Sequence, residues 1–235
     1  MQITIAMAFA HNPHGKQPEW KQNYYQVAAI DPGAKKNTGL RIQRRYLNGQ
    51  IVQQVAVLID FSAVIKEGGS VVVWLTKYLD QYLKYFMECH MILIEDQQIG
   101  VNSKALPIAQ FLVTYFCLRL ENSPMRPMIY EVSSKVKSQH LGVGYLKGKP
   151  PKGKGRTVVK KETRVMMKTL LRARNDETTL ALVSNAARCQ DLLDAEAMIE
   201  AFFLMQGLQT ALTKDQLQWL QSVTAKTSTK VEEEV

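Results

Sequence analysis

The sequence predicts an α/β fold: a mixed five-stranded sheet flanked by helices. Three early apolar runs are joined by short turns, the pattern of an antiparallel meander. Two later apolar runs of strand length alternate with segments of helical period, which adds strands in parallel. With 235 residues and 46% hydrophobic content, the chain can bury one sizeable core.

Taken in order, residues 1–22 include the polar, Pro- and Gly-containing stretch "HNPHGKQPEWKQ" and read as an N-terminal arm. Residues 24–30 read as a strand ending on Asp31. "TGLRIQRRYL" and "QIVQQVAVLID" follow as strands, joined by Asn48-Gly49, a pair that favours tight hairpin turns. From Ser70, a candidate cap, Leu75, Leu79, Tyr82 and Phe86 fall at helical spacing. "MILIE" is a short apolar strand ending on Glu95. Residues 102–122 read as a helix, with Pro107 tolerated in its first turn. "MIYEV" is the fifth strand. Residues 142–156, "GVGYLKGKPPKGKGR", have almost nothing to bury and read as a mobile basic loop. "KKETRVMMKTLLRAR" and "QDLLDAEAMIEAFFLMQG" read as helices, and "TKDQLQWLQSV" as a last helix opened by Thr213. The tail from Thr224 reads as disordered. The expected organisation is therefore an arm (1–22), one domain (23–206) and a C-terminal helix with its tail (207–235).

Charge is concentrated. The net charge is +9, yet residues 135–174 hold thirteen Lys or Arg against one acid, Glu162, so the remaining chain is slightly acidic. A basic surface confined to one segment fits a polyanionic partner; a loop kept basic for solubility is the plainer alternative. No apolar run approaches the roughly 18 residues of a membrane span. The N-terminus lacks the basic start of a secretory signal. Cys89, Cys117 and Cys189 have neither disulfide nor zinc spacing, which fits a reducing intracellular compartment.

Four carboxylates stand out. Asp31 and Glu95 end two apolar strands. Asp191 and Asp194, three apart, share a face of an otherwise apolar helix. Burying ionised carboxylates is costly without a cation. Hard divalent ions take oxygen ligands, and a pair of them can drive phosphodiester hydrolysis. Each acid also has a plainer reading: Asp31 as a turn cap, Glu95 paired with Lys104, and D-x-x-D as compensation of the helix dipole.

"AIDPGAKKNTG", "ILIEDQQ" and "DLLDAEA" resemble, in that order, the three acidic motifs of the RuvC-type Holliday junction resolvases. The Glu-x-Gln form of the second is closer to the poxviral and mitochondrial branch. The resemblance spans roughly residues 25–206. It implies a ribonuclease H-like fold, a homodimer, and symmetric nicking of four-way DNA junctions with magnesium, manganese substituting. It makes Asp31, Glu95, Asp191 and Asp194 the catalytic metal ligands. "VSSKVKSQHLGVG" and "VVKKETRVMMKTLL" resemble the family's Val-Lys strand exit and lysine-led helix, which brings Lys137 and either Lys160 or Lys161 near the DNA or the catalytic pocket. The DNA-contacting set expected with them is Lys35, Lys36, Gln97, Lys135, Lys147, Lys149, Lys152, Lys154, Arg156 and Arg164. The chain departs from the family in two places. Lys35-Lys36 lengthens the first motif's turn, and the segment between Gly144 and Lys160 is longer and more basic than in bacterial relatives.

Other ribonuclease H-like enzymes remain as alternatives: nucleases of RNA/DNA hybrids or other branched DNA, transposases, integrases and exonucleases. So does a non-catalytic junction- or RNA-binding module, although four acids beside a phosphate-binding face repel phosphate unless a metal intervenes. The apolar helix after Glu95, with Leu106, Phe111, Leu112, Val113, Tyr115 and Phe116, carries more apolar surface than one core-facing stripe needs, and part of it is the expected dimer surface. A viral, mitochondrial or cytoplasmic setting fits equally.

Overall fold

The computed structural model describes residues 8–12, 22–33, 37–97, 105–146, 152–185 and 189–233. Within them are strands β1 Ala8–His11, β2 Tyr24–Pro32, β3 Asn37–Tyr46, β4 Ile51–Asp60, β5 Met91–Glu95 and β6 Met128–Val132. The helices are α1 Ser62–Lys66, α2 Val71–Asp80, α3 Leu83–Met87, α4 Leu106–Arg119, α5 Lys135–Leu141, α6 Gly155–Ala173, α7 Glu177–Asn185, α8 Gln190–Gln206 and α9 Lys214–Glu233. The strands form one sheet, ordered β1-β6-β5-β2-β3-β4. β2, β3 and β4 make the antiparallel meander, and β5 and β6 add in parallel.

The expected mixed α/β sheet is present with one strand more. β1, from the segment read as an arm, pairs antiparallel with β6 (Ala8↔Val132 to His11↔Ile129). Its residues gain backbone partners from an otherwise open sheet edge, which a polar, irregular sequence does not advertise.

Period-two alternation sorts the sheet's side chains between two helical layers. Val27 and Ala29 of β2, with Met91 and Leu93 of β5, face a core shared with α5, α6, α8 and α9. Ala28, Ile30, Ile92 and Ile94 face the opposite core, with α2, α3 and α4. The same alternation carries Asp31 and Glu95 to the first face, and Ile30↔Ile94 registry makes them neighbours across parallel strands.

Local signals hold where their chemistry is realised. Gly49 closes the β3–β4 hairpin at φ +89°, and Asn48 Oδ1 accepts from Gln50 N at 3.0 Å. Ser70 Oγ accepts from Val73 N and caps α2. Thr213 Oγ1 accepts from Gln216 N at 3.2 Å while Gln216 Oε1 accepts from Thr213 N at 2.9 Å, a reciprocal capping box that opens α9.

Several expectations change. The helix expected from Ser70 breaks into α2 and α3 around Gln81-Tyr82. α6 begins at Gly155, inside the predicted loop. Lys137 lies on the helix α5 and not at a strand exit. α9 runs on to Glu233, through most of the tail predicted to be disordered.

The largest difference lies beneath α8. Arg41, Gln43 and Arg45 alternate along β3 as solvent-facing residues would, yet all are buried. Arg41 pairs with Glu196, and with Asp176 at 2.6 Å; Arg45 pairs with Glu200. Arg174 donates to Glu196 at 3.0 Å and to Glu200 at 2.7 Å. Three guanidinium groups and three carboxylates thus balance, which such burial requires. This network locks α8 onto β3 in one rotational setting.

Candidate active site

Three elements bring the four acids together. Asp31 lies at the end of β2, Glu95 ends β5, and Asp191 lies in the first turn of α8 with Asp194 just beyond it. They line one cavity of about 320 Å³ together with Asp96, Gln97, Ser134, Lys135, Lys137, Arg156 and Lys160, among others. The first turn of α8 reaches the sheet because of two glycines. A Cβ on Gly39 would lie 2.3 Å from the Asp191 carbonyl, and one on Gly33 would lie 2.6 Å from Asp191 Oδ2.

Hydrogen bonds orient the acids. Asn37 Nδ2 donates to Asp191 Oδ2 at 3.0 Å. Gln190 Nε2 donates to Asp194 Oδ2 at 3.2 Å, and Gln190 Oε1 accepts from Arg164 Nε at 3.3 Å. Lys137, buried, places its ammonium 2.9 Å from Asp194 Oδ1 and 3.3 Å from Glu95 Oε1.

The electrostatics follow from this crowding. Burial, then the neighbouring Glu95 and Asp194 charges, push the Asp31 carboxyl well above the usual range, and its side chain is hydrogen-bonded to Glu95. Burial would raise Glu95 too, but the Lys137 ammonium, the Asp31 hydrogen bond and Lys160 hold it below its ordinary value. Asp191 is pushed up to about 6 by burial and Asp194, with Lys160 opposing. Burial would lower Lys137, but Asp194, Glu95 and Asp31 outweigh it and hold the group charged. Two carboxyls therefore share a hydrogen bond because too little positive charge is present. The donors are all hard oxygens, the set that magnesium or manganese takes. Lys137 and Lys160 are the cations that act most directly on these acids, and a divalent ion would take up negative charge they leave unbalanced. Among the described residues no group of three metal-ligating side chains is drawn into a finished cage; the Lys137 ammonium stands between Glu95 and Asp194.

The predicted basic residues divide. Lys135, Lys137, Arg156 and Lys160 line the cavity with Gln97, whose amide also donates to the Glu95 carbonyl at 3.4 Å. Of the Lys160/Lys161 pair, Lys160 is the one at the cavity. Arg164 lies one turn further along α6, joined to Asp194 through Gln190. Lys152 and Lys154 are exposed just before α6. Lys35, Lys36, Lys147 and Lys149 lie outside the described residues. Asn37, whose place in the first motif the Lys35-Lys36 extension left in doubt, and Gln190, which carried no expected role, hold Asp191 and Asp194. Their only signal was position, beside an acidic motif. Glu162, the one acid of the basic segment, is buried and accepts from Gly144 N at 2.5 Å, so it serves the loop's anchorage.

The fold itself, a mixed six-stranded sheet flanked by helices, has solved counterparts. The solved structure of the yeast mitochondrial Holliday junction resolvase Ydc2 is similar at TM-score 0.51 and 14% identity, covering 88% of this chain and 89% of that one. RuvC of Thermus thermophilus is similar at TM-score 0.45 and 14% identity, covering 77% and 96%. RuvC of the same organism in complex with a Holliday junction substrate is similar at 0.43 and 16%, covering 80% and 98%. No protein-family model and no curated protein matches the chain. Among the described residues no helix is long and apolar enough to cross a membrane.

Proposed function

We propose that the protein is a metal-dependent endonuclease that resolves four-way DNA junctions by paired nicks. The observation that carries this reading is the convergence of Asp31, Glu95, Asp191 and Asp194, from three separate elements, in one cavity rimmed by Lys135, Arg156 and Lys160. A binding module has no use for four acids where phosphate must approach; a hydrolase does. Asp31, Glu95, Asp191 and Asp194 would hold magnesium, with manganese as a substitute. When bound, such ions activate water and stabilise the leaving oxygen of a phosphodiester.

The chain's own residues prepare that chemistry. Lys137 holds Glu95 below its ordinary range and draws Glu95 and Asp194 together through its two ion pairs. Asn37 and Gln190 fix the rotamers of Asp191 and Asp194. Lys135, Arg156 and Lys160 attract the phosphate backbone, while Ser134 and Ser138 add neutral polar contacts at the rim.

A junction offers two equivalent strands, so a two-fold dimer places one site on each. Only the outer part of α4 is left for such an assembly. Leu112, Tyr115 and Phe116 are buried against the sheet, Phe111 and Val113 are half-buried, and Leu118 remains 70% exposed. Light scattering with junction bound should give the dimer mass.

The deciding experiment is digestion in Mg²⁺ of a four-way junction, linear duplex, single strand and RNA/DNA hybrid, with the cuts mapped. Paired symmetric nicks confined to the junction are expected. Preferential hydrolysis of the hybrid would replace this reading with the hybrid-nuclease one. Tight junction binding without any cutting would leave a structural role for the acids.

A further inference from the structure

The C-terminal helix α9 reaches the active site at one remove. Leu212 and Leu220 are buried, Leu217 packs against the same core, and α9 lies along α6. Apolar packing of that kind closes a core and needs no polar group. One polar side chain of α9 nevertheless reaches a second element. Gln221 Nε2 donates to the Leu141 carbonyl at 3.0 Å. Leu141 is the last residue of α5, the helix that carries Lys137.

α5 has little of its own to hold it in place. It has seven residues and no side-chain cap from Ser134. Helices shorter than about 12 residues are marginal alone, so their position is set by what they pack against. The last carbonyls of a helix also lack partners within it, and Gln221 supplies a donor to one of them. The approach is close. Gly142, the next residue, sits at φ +77°, and a Cβ there would lie 2.8 Å from Gln221 Nε2. The chain is pinned again two residues on. Glu162 accepts from Gly144 N at 2.5 Å, and a Cβ on Gly144 would lie 2.5 Å from Val159, which lines the carboxylate cavity. The end of α5 is therefore held from two sides, by α9 and by α6.

Leu141 lies four residues after Lys137, one turn along the same face of α5. Lys137 works at short range, with its ammonium 2.9 Å from Asp194 Oδ1 and 3.3 Å from Glu95 Oε1. A shift of α5 by about 1 Å would carry both contacts out of hydrogen-bond range. The lysine stem is flexible, so the aim of its ammonium depends on where its backbone is held. We infer that Gln221 is a positioning residue: through the Leu141 carbonyl it seats α5, so that Lys137 stands between Glu95 and Asp194. The consequence for cleavage rests on the endonuclease reading above; the seating of Lys137 does not.

The test uses the full chain. Gln221→Met keeps the volume and the helix propensity and removes the donor. Gln221→Lys keeps a donor able to reach a helix-terminal carbonyl. Gln218→Met, at an exposed position of α9, is the control. Two exchange rates are read by NMR without metal. In Gln221→Met the amides of His140, Leu141 and Gly142 should exchange about tenfold faster, because a buried carbonyl has lost its donor. Proton exchange at Lys137 Nζ should quicken with them, while the amides of α2 and α4, in the other helical layer, stay as in wild type. Gln221→Lys and Gln218→Met should match wild type. In Mg²⁺, single-turnover nicking of a junction should fall about tenfold in Gln221→Met alone, with junction affinity in EDTA unchanged. Wild-type exchange at α5 and Lys137 in Gln221→Met would overturn the inference. Faster exchange at α5 with Lys137 unaffected would also overturn it, leaving Gln221 a cap of α5 only, as would exchange raised equally in every helix. If the wild-type protein nicked nothing, the endonuclease reading would fall and the Lys137 exchange rate would still decide this one.

Discussion

Gly39→Ala tests whether close packing of α8 on β3 sets the active site. The added Cβ would stand 2.3 Å from both C and O of the Asp191 carbonyl and 2.6 Å from Leu192 N. Ordinary contact begins near 3.4 Å, and backbone atoms cannot swing aside as a side-chain tip does. The first turn of α8 must therefore withdraw by about 1 Å. Overpacking of this kind costs about 1–3 kcal/mol. In a chain of this length that lowers Tm by roughly 2–4 °C for each kcal/mol. A 1 Å withdrawal also breaks the 3.0 Å bond from Asn37 to Asp191. Misplacement of a reacting group by that distance can cost about 100-fold in rate. Single-turnover nicking of a four-way junction, together with a melting curve, measures both effects, and junction affinity in EDTA should hold. A Gly39→Ala protein that melts and nicks like wild type would refute the argument, because α8 would then not be seated on β3 at this point.

Three further outcomes are expected. Asp31→Asn removes a carboxyl already strained by burial and by Glu95; nicking should fall by several orders of magnitude, with Tm unchanged or raised, whereas a turn cap would lose about 1 kcal/mol of stability and keep its activity. Lys137→Met strands Asp194 and Glu95 without their buried partner; unfolding in EDTA should become easier by about 3–5 kcal/mol, and added Mg²⁺ should restore part of the loss, so a deficit indifferent to Mg²⁺ would count against a cation site. His90 is buried and accepts from Gln26 N on Nδ1 at 3.0 Å; burial and then the Arg44 charge lower it to about 4. The unfolded chain therefore takes up this proton first, and stability held above pH 6.5 should be lost as pH falls toward 4, by at most about 3 kcal/mol. His90→Asn should remove that part of the pH dependence, and an identical stability profile in the variant would refute the assignment.

Much of the fold was readable along the chain because it rests on short-range rules. The apolar runs in "QVAAID" and "MILIE" name two buried strands and the acids that end them, and Asn48-Gly49, Ser70 and Thr213 mark turns and caps. The three acidic motifs, in order, pointed to one site. What joins those acids is long-range. Ile30↔Ile94 registry brings Asp31 beside Glu95, Gly39 admits the backbone of Asp191, and Lys137, expected only near the DNA or the pocket, proves to be the buried counterion of two acids. The polar alternation of Arg41, Gln43 and Arg45 has the form of a solvated strand face, yet it is buried because Glu196, Glu200 and Asp176 arrive from more than 130 residues away to neutralise it. Local sequence sets which backbone conformations and caps are cheap. Only tertiary structure decides which buried charges meet, since a carboxylate's stability under burial depends on a partner that its own neighbourhood does not contain.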